Sequence, residues 1–457
     1  MDNFLISVNQ YVWGVPMLVL ILGTGIYISL RTKFVQVRLF PKSVKLFIDQ
    51  LRAPEASKDK TSPFRALCTA LAATVGTGNL AGVAGAIAVG GPGAIFWMWV
   101  SAFLGMAVKF AEAALSVRYR SVDTNGNVRG GPMYSIVNGM GPKWRWLALV
   151  YSFFGVVAAF GVGNATQINT LIVSVDGVIE SAGMTVGPQW NLLMGVFLAI
   201  LIGTMLLGGA RRIGMVAEKL VPFAGALYVI MGIGVLAVCF RRIPSAFAQI
   251  VKGAFCPSAI TGGVVGSAIR AVRVGTSRGV FTNEAGMGTA GIAHGSAECG
   301  HPVQQGCMGI IEVFIDTFVI CTITALVILC SGVVIPYGKD IGVDLTSQAF
   351  SSIYGTWIRI PIALAICAFA LATVIGWGLY GARCAQFLIG ERAWKPFVLL
   401  QCFTVVAGSL MGTGAIWLLA ETVNGLMAIP NLICISALVP ELVRLVKEYN
   451  KSVDFFS

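Results

Sequence analysis

The sequence predicts an all-α polytopic membrane protein with eleven transmembrane helices: one extra N-terminal helix followed by two inverted five-helix repeats. Three observations support this fold class. Of the 457 residues, 56% are hydrophobic and only 11% are charged, whereas a soluble domain carries about 25% charged residues. Apolar runs long enough to cross a bilayer recur along the chain. Two of these runs are interrupted by glycine and polar residues at corresponding positions.

The apolar runs and the charges between them predict the topology. Windows of about 20 apolar residues predict spans near 12–30, 66–90, 94–117, 146–172, 190–208, 217–240, 262–292, 303–332, 357–380, 397–418 and 423–443. With the N-terminus outside, 23 of the 32 Lys and Arg residues fall in cytoplasmic segments and 5 fall in outside loops. Because cytoplasmic loops are rich in Lys and Arg, we expect this orientation, with a cytoplasmic C-terminus.

The two interrupted spans predict the domain organisation. Residues 66–90 contain Val75-Gly76-Thr77-Gly78-Asn79, and residues 262–292 contain Thr282-Asn283-Glu284 among several glycines. Each opens a block of five spans, 66–240 (first repeat) and 262–443 (second repeat), and the blocks enter the membrane from opposite sides. Paired interrupted helices at matching positions indicate an inverted-repeat transporter with a midplane site. The extra helix at 12–30 lies outside the repeats, and 1–457 forms a single transmembrane domain.

The interruption at Val75–Asn79 suits two kinds of ligand. Each glycine destabilises a helix by up to about 1 kcal/mol relative to alanine. Backbone groups without helical hydrogen bonds are tolerated inside a membrane where they line a cavity. Amide N–H groups at a half-helix N-terminus suit a carboxylate, and the carbonyl oxygens suit a bare cation such as Na⁺. A glycine-rich packing face through Gly78 and Gly82 is the alternative interpretation.

A longer motif resembles a known family. The run to Gly105 that begins Gly90-Gly91-Pro92-Gly93-Ala94-Ile95-Phe96-Trp97 resembles the signature of the alanine/glycine:cation symporters, the sodium:alanine symporter family. Stretches at 278–288, 316–317 and 375–377 resemble further family signatures. The resemblance covers nearly the whole chain. It implies the leucine-transporter inverted-repeat fold, sodium coupling, and small neutral amino acids such as alanine or glycine as substrates.

The resemblance implies a Na⁺ site at the first interruption. The carbonyls of Ala72 and Val75 and the hydroxyl of Thr373 would bind the cation. Ala372 stands where sodium sites of this fold often carry a second hydroxyl. A proton-coupled amino-acid transporter of the same fold therefore remains the alternative.

The resemblance also implies a substrate site. The amides of Thr77 and Gly78 would bind the substrate carboxylate, and Asn79 would line this site or a second cation site. Asn283 would receive the substrate ammonium. Trp377 lies one helical turn beyond Thr373 and would wall the pocket, leaving room only for a small side chain.

Polar residues elsewhere in the spans are interpreted from spacing. Asn164 and Gln167 share a helix face with Phe160 and are expected to line the substrate site, with helix–helix hydrogen bonding as the alternative. Lys109 and Glu112 are expected to pair, because residues three apart are neighbours on a helix.

Two acids and the histidines are assigned on the same basis. Glu284 is expected to be a structural partner of Arg278, with proton carriage as the alternative. Asp316 could equally be structural or functional. His294 and His301 are expected in a gate network or loop rather than as ligands.

The expected function is Na⁺-coupled symport across the inner or plasma membrane by alternating access. No GxSxG, HExxH or paired aspartate motif appears, so we do not expect an enzyme. The net charge of +12 is explained by the cytoplasmic loops rather than by a nucleic-acid partner. The 11 cysteines and two histidines predict neither a disulfide framework nor a resident metal, and no organic cofactor is expected.

Overall fold

A helical bundle accounts for almost all regular structure in the chain. The computed structural model describes residues 7–9, 11–52, 61–122, 126, 128–265, 267–339, 342–411 and 413–454, without the side chains of 413–420 and 452–454. The described strands form one short antiparallel ribbon of β1 (Ser121–Val122) and β2 (Val128–Arg129).

The first half of the chain alternates long helices with short connections. Its α-helices are α1 (Val15–Arg31), α2 (Val35–Arg38), α3 (Phe40–Arg52), α4 (Pro63–Thr74), α5 (Val83–Gly90), α6 (Gly93–Arg118), α7 (Pro132–Ser135), α8 (Arg145–Phe160), α9 (Thr166–Ser181), α10 (Pro188–Leu207), α11 (Gly209–Val238) and α12 (Ile243–Phe255). Among the described residues of this half, three π turns interrupt the helices: π1 (Gly78–Gly82), π2 (Ile136–Met140) and π3 (Gly161–Ala165). Short 3₁₀ turns lie at Pro142–Trp144 and Phe240–Arg242.

The second half continues with α13 (Ser258–Thr261), α14 (Ala268–Asn283), α15 (Thr289–His294), α16 (Pro302–Val313), α17 (Thr322–Ser331), α18 (Val343–Tyr354), α19 (Arg359–Ile389), α20 (Trp394–Leu410), α21 (Thr413–Ala437) and α22 (Val439–Asp454). A fourth π turn, π4 (Phe314–Cys321), joins α16 to α17. Two 3₁₀ turns lie at Thr356–Ile358 and Glu391–Ala393.

The helices identify a multi-pass membrane protein. Among the described residues, seven helices are long and apolar enough to span a bilayer, or nine if each of two bent pairs counts as one span. The predicted number of eleven is therefore not confirmed. The helix α1 has only 17 residues, and α14 carries Arg270, Arg273 and Arg278 within its 16 residues, so neither meets the criteria for length and hydrophobicity.

Both predicted helix breaks are confirmed. The helix α4 begins at Pro63, where the Ser62 side chain accepts a hydrogen bond from the Arg65 amide, and it ends at Thr74. The chain then bends by 52° before it continues through π1 and α5. The second break separates α14 from α15 at residues 284–288, where Glu284 has a φ of 54°. Its first half, α14, starts at Ala268, where the Ser267 side chain accepts a hydrogen bond from the Arg270 amide.

The interior of the bundle is built around α6 and the helix that contains α19. In each of these two helices, 67% of the most apolar 18-residue stretch is buried inside the protein, whereas the share is 33% in α10 and in α11. The helix α6 packs against both α14 and α16, and α19 packs against α4, α8, α9 and α11. Both broken helices therefore lie against central helices, where their free backbone groups are shielded from lipid.

Candidate functional site

The first helix break lies against Thr373 of α19. A Cβ atom on Gly76 would stand 2.5 Å from the Thr373 hydroxyl oxygen, so only glycine allows this approach. Thr373 is 2% exposed, and its hydroxyl has no hydrogen-bond partner within the described residues. Ala72 and Val75 are buried in the same turn of backbone. A buried, unpartnered oxygen beside a free turn of backbone suits a bound cation.

A chain of hydrogen bonds connects the two broken helices. The Gly76 amide donates to Asn79 Oδ1 at 2.9 Å, and Asn79 Nδ2 donates to Asp316 Oδ1 at 2.6 Å. The Thr317 hydroxyl donates to Asp316 Oδ2 at 2.8 Å and accepts from Asn283 Nδ2 at 3.1 Å. The breaks near residues 76 and 283 therefore meet through two residues of π4, and all four side chains in this chain are buried.

Gln167 also reaches the first break, whereas two other predicted lining residues point elsewhere. The Thr77 hydroxyl donates to Gln167 Oε1 at 2.8 Å. Asn164 Nδ2 instead donates to the carbonyl of Gln401 in α20 at 2.9 Å. The Phe160 ring lies 5.1 Å from the ring of Phe397, between centroids. The π turn that contains Asn164 explains the separation, because it breaks the α-helical spacing just before Gln167.

Trp377 lies at the second break and is bonded to Glu284. Its indole N–H donates to Glu284 Oε1 at 2.8 Å, and the Thr289 hydroxyl donates to Glu284 Oε2 at 2.6 Å. The expected Glu284–Arg278 pair is wrong, because Arg278 pairs with Glu421 at 2.7 Å. Glu284 instead fixes the loop between α14 and α15 to α19.

The predicted Lys109–Glu112 pair is also wrong. Lys109 Nζ lies 3.1 Å from Glu312 Oε1, and both side chains are fully buried. Glu312 Oε2 lies 2.9 Å from Nε2 of His294. Glu112 Oε1 accepts hydrogen bonds from the Gly286 and Gly288 amides and from Asn431 Nδ2. A buried charge needs several hydrogen bonds, and the unwound loop supplies them to Glu112.

An ion pair lies beyond each side of the buried centre. Arg65 at the start of α4 pairs with Glu218 of α11 at 2.8 Å. At the opposite end of the bundle, Arg278 of α14 pairs with Glu421 of α21. Thr77, Asn79, Asn283 and Trp377 between them are at most 1% exposed, so the centre is occluded from both ends.

Sequence reasoning missed the part of this centre that π4 contributes. The sequence marks Asp316 as an intramembrane acid within a stretch that resembles a family signature, but nothing in its local pattern predicts a contact with Asn79. The wide π turn over Phe314–Cys321 directs Asp316 and Thr317 to the breaks. Such turns are frequent at functional sites, and the rarity of acids in membrane spans was the available signal.

The fold and the occluded polar centre define a membrane transporter of the leucine-transporter fold. A crystal structure of MhsT in complex with L-phenylalanine matches the chain with a TM-score of 0.57. The match covers 85% of this chain and 98% of that one at 14% identity, so it establishes the fold alone.

The chain belongs to the sodium:alanine symporter family, whose model matches residues 1–454. The sodium/alanine symporter AgcS of Methanococcus maripaludis is 41% identical over 449 residues, covering 97% of this chain and 96% of the relative. An uncharacterised transporter of Haemophilus influenzae is 38% identical, covering 98% and 96%. The probable sodium/glutamine symporter GlnT of Bacillus subtilis is 36% identical, covering 97% and 89%. The family and these relatives are transporters, not enzymes.

Proposed function

We propose that this protein is a Na⁺-coupled symporter of small neutral amino acids, with alanine or glycine as substrate. The observation that carries the proposal is the unpartnered Thr373 hydroxyl against the first helix break. Membership in the sodium:alanine symporter family supports both the cation and the substrate class.

The Na⁺ site consists of backbone and hydroxyl oxygens. The carbonyls of Ala72 and Val75 and the Thr373 hydroxyl supply neutral oxygen ligands, which hard cations prefer. Thr373 lies on α19, whereas the carbonyls lie on the first broken helix. Binding of Na⁺ would therefore fix these two elements to each other.

The substrate site lies on the other side of the same turn. The first N–H groups of a helix have no partner within that helix, which leaves the amides of Thr77 and Gly78 for the substrate carboxylate. Asn283 receives the ammonium. A Cβ atom at Gly78 would meet the Phe281 ring and the Thr282 methyl group at 3.6 Å. Phe281 and Thr282 therefore lie beside the turn that binds the carboxylate, and the preference for a small side chain rests on membership in the family.

The remaining lining residues are supported unequally. Gln167 bonds to Thr77, and Asn79 bonds to the Gly76 amide, so both hold the turn that binds the ligands. Trp377 closes one wall of the site. Phe160 and Asn164 hold α8 and π3 against α20, and their effect on the substrate is indirect.

Coupling follows from the shared turn. Val75 and Thr77 are two residues apart, so Na⁺ on the Val75 carbonyl orders the peptides that receive the carboxylate. Each ligand then raises the affinity for the other by the same factor. Alternating access requires the Arg65–Glu218 pair to open on one side and the Arg278–Glu421 pair on the other.

The proposed arrangement includes two inverted repeats, 66–240 and 262–443, with the N-terminus outside. The positions of the breaks near the start of each block support the repeats. The end of the bundle at Arg65 is then cytoplasmic, and the end at Arg359 faces outside.

A proton-coupled transporter is the second candidate, and Asp316 is the observation that favours it. Its carboxylate is buried and accepts hydrogen bonds from Asn79 and Thr317, but no ion pair reaches it from any described residue. Such a carboxylate could carry a proton in place of Na⁺.

Uptake into proteoliposomes distinguishes the two candidates. Labelled alanine or glycine is offered under an inward Na⁺ gradient, an equal K⁺ gradient, or an imposed pH gradient. We expect accumulation with Na⁺ only and at least tenfold slower uptake for Thr373→Ala. The matched control is Thr404→Ala, because Thr404 is only partly buried and its hydroxyl donates to the Leu400 carbonyl within its own helix.

Uptake driven by the pH gradient alone would disprove sodium coupling and direct attention to Asp316. An equal loss in both threonine variants would disprove the cation site at Thr373. Chemical conversion of the substrate would contradict transport altogether.

A further inference from the structure

A second polar pocket lies at the outer end of the bundle. It has a volume of about 160 Å³ and is lined by the end of α9, the first turns of α18 and the first turns of α19. Its polar side chains are Ser174, Asp344, Ser347, Gln348 and Arg359. Its apolar wall includes Val178, Ile362 and Ile366.

The pocket contains one acidic side chain, Asp344, and one basic side chain, Arg359, which do not form a direct ion pair. Among the described residues, neither Asp344 nor Arg359 forms an ion pair within 4.0 Å. Although Asp344 as a residue is exposed, partial desolvation raises the pKa of its carboxyl, and the positive charge of Arg359 opposes that shift. The two charges are therefore near enough to interact through space, yet each remains available to a ligand.

The size and the remaining polar atoms favour a small ligand with two opposite charges. The Ser174 hydroxyl is buried and has no hydrogen-bond partner among the described residues. A cavity of about 150 Å³ holds benzene, and alanine has the same number of non-hydrogen atoms as benzene. Pockets for drug-sized ligands are larger, about 300–1,000 Å³.

The pocket lies directly outward from the central site along two helices. Ser174 follows Gln167 by seven residues on α9, and Ile366 precedes Thr373 by seven residues on α19. Residues seven apart share a helix face and lie about 10 Å apart along the axis. The faces that line the central site therefore continue outward into the pocket.

The geometry points to a second amino-acid site in this pocket, in which Arg359 binds the carboxylate of a zwitterion and Asp344 binds its ammonium. Ser174, Ser347 and Gln348 complete the polar wall. This outer site holds a small neutral amino acid before it enters the central site. The choice of alanine as its ligand rests on the proposed function, whereas the preference for a zwitterion rests on the pocket alone.

Equilibrium dialysis of the purified chain with labelled alanine tests this site. Replacing Na⁺ with choline empties a Na⁺-dependent central site, and the outer pocket contains no part of that site. We expect two moles of alanine per mole of protein in Na⁺ and one in choline. In choline, Asp344→Asn and Arg359→Gln each weaken binding at least tenfold, and neither propionate nor ethylamine competes, because each carries one charge.

Glu180→Gln and Arg241→Gln are the matched controls, since both residues lie at the same end of the bundle but outside the pocket lining. We expect both to bind alanine as the wild type does. Ser347→Leu, which fills the pocket without changing a charge, is expected to abolish the site that binds in choline.

Three results would overturn the outer site. Binding in choline that is unchanged in Asp344→Asn, Arg359→Gln and Ser347→Leu places that alanine elsewhere. No binding in choline, with one mole bound in Na⁺, removes the outer site and leaves the proposed function intact. No binding in either salt removes both.

Discussion

The close contact between Gly76 and Thr373 gives a prediction with a calculable size. In Gly76→Ala the new methyl group would stand 2.5 Å from the Thr373 hydroxyl oxygen, about 1 Å closer than an ordinary van der Waals contact. Overpacking of this kind costs about 1–3 kcal/mol. With an unfolding entropy of about 2.1 cal/mol/K per residue, a chain of 457 residues would lose about 1–3 °C in Tm.

The structure also predicts how to relieve this strain. The Thr373 Cβ would lie 3.6 Å from the new methyl group, which is an ordinary contact. Removing only the hydroxyl should therefore remove the clash. We expect Gly76→Ala/Thr373→Ala to regain the Tm of Thr373→Ala alone, although Na⁺-driven uptake stays lost in all three variants because the hydroxyl is displaced or absent.

The test is a double-mutant cycle of Gly76→Ala and Thr373→Ala. For each variant, the Tm is measured at one scan rate and uptake is measured in proteoliposomes. Gly82→Ala is the matched control, because its Cβ would meet only the Thr282 methyl group at an ordinary 3.6 Å. If Gly76→Ala unfolds at the same temperature as Gly82→Ala, the close approach of Thr373 to the first break is wrong. If the double variant is no more stable than Gly76→Ala, the hydroxyl is not what the methyl group meets.

Three further predictions follow from buried partners. Lys109→Met removes the ammonium group that pairs with Glu312 and should lower the free energy of unfolding by about 3–5 kcal/mol, measured as loss of folded protein in detergent. Lys109→Met/Glu312→Gln should recover most of that stability, and no recovery would contradict the pair. Trp377→Phe removes the N–H group that donates to Glu284 Oε1 and should lower the free energy of unfolding by about 1–3 kcal/mol. Trp190→Phe, at an exposed site, should leave the stability unchanged. Equal effects of the two substitutions on thermal unfolding would contradict the hydrogen bond. Arg65→Gln removes the pair with Glu218 and, at about 1 kcal/mol for a partly exposed pair, should raise the population open at that end about fivefold. Labelling of an introduced cysteine near Gly76 measures this opening, Arg392→Gln serves as the exposed control, and unchanged labelling would show that the pair does not hold this end closed.

The positions of the helix breaks could be predicted from local sequence. Gly76, Thr77 and Gly78 oppose regular helix by their own conformational preferences, and the break falls there. The second break, after Asn283, follows from the same reasoning. Asn164 and Gln167 are both predicted to line the substrate site; in the structure Gln167 accepts a hydrogen bond from Thr77 at the first break, whereas Asn164 contacts α20 because π3 breaks the helical spacing just before Gln167.

Partner choice among buried charges could not be predicted in the same way. Spacing on one helix favoured Lys109 with Glu112, yet Lys109 pairs with Glu312 of α16. A neighbouring helix offered a carboxylate at the same depth, and Glu112 found three donors at the unwound loop and α21. A fully buried charge takes the arrangement that satisfies the most hydrogen bonds, and that arrangement includes residues distant in sequence.

The sequence by itself determined the class of molecule, the two breaks and the resemblance to the family, because apolar length, glycine content and motif identity are local properties. The tertiary structure decided that Thr373 faces Gly76, that Asp316 joins the two breaks, and that Asp344 and Arg359 line one pocket. These contacts depend on how each helix is rotated and at what depth it packs. Collective packing of many apolar side chains sets both, and no single stretch of sequence contains that information.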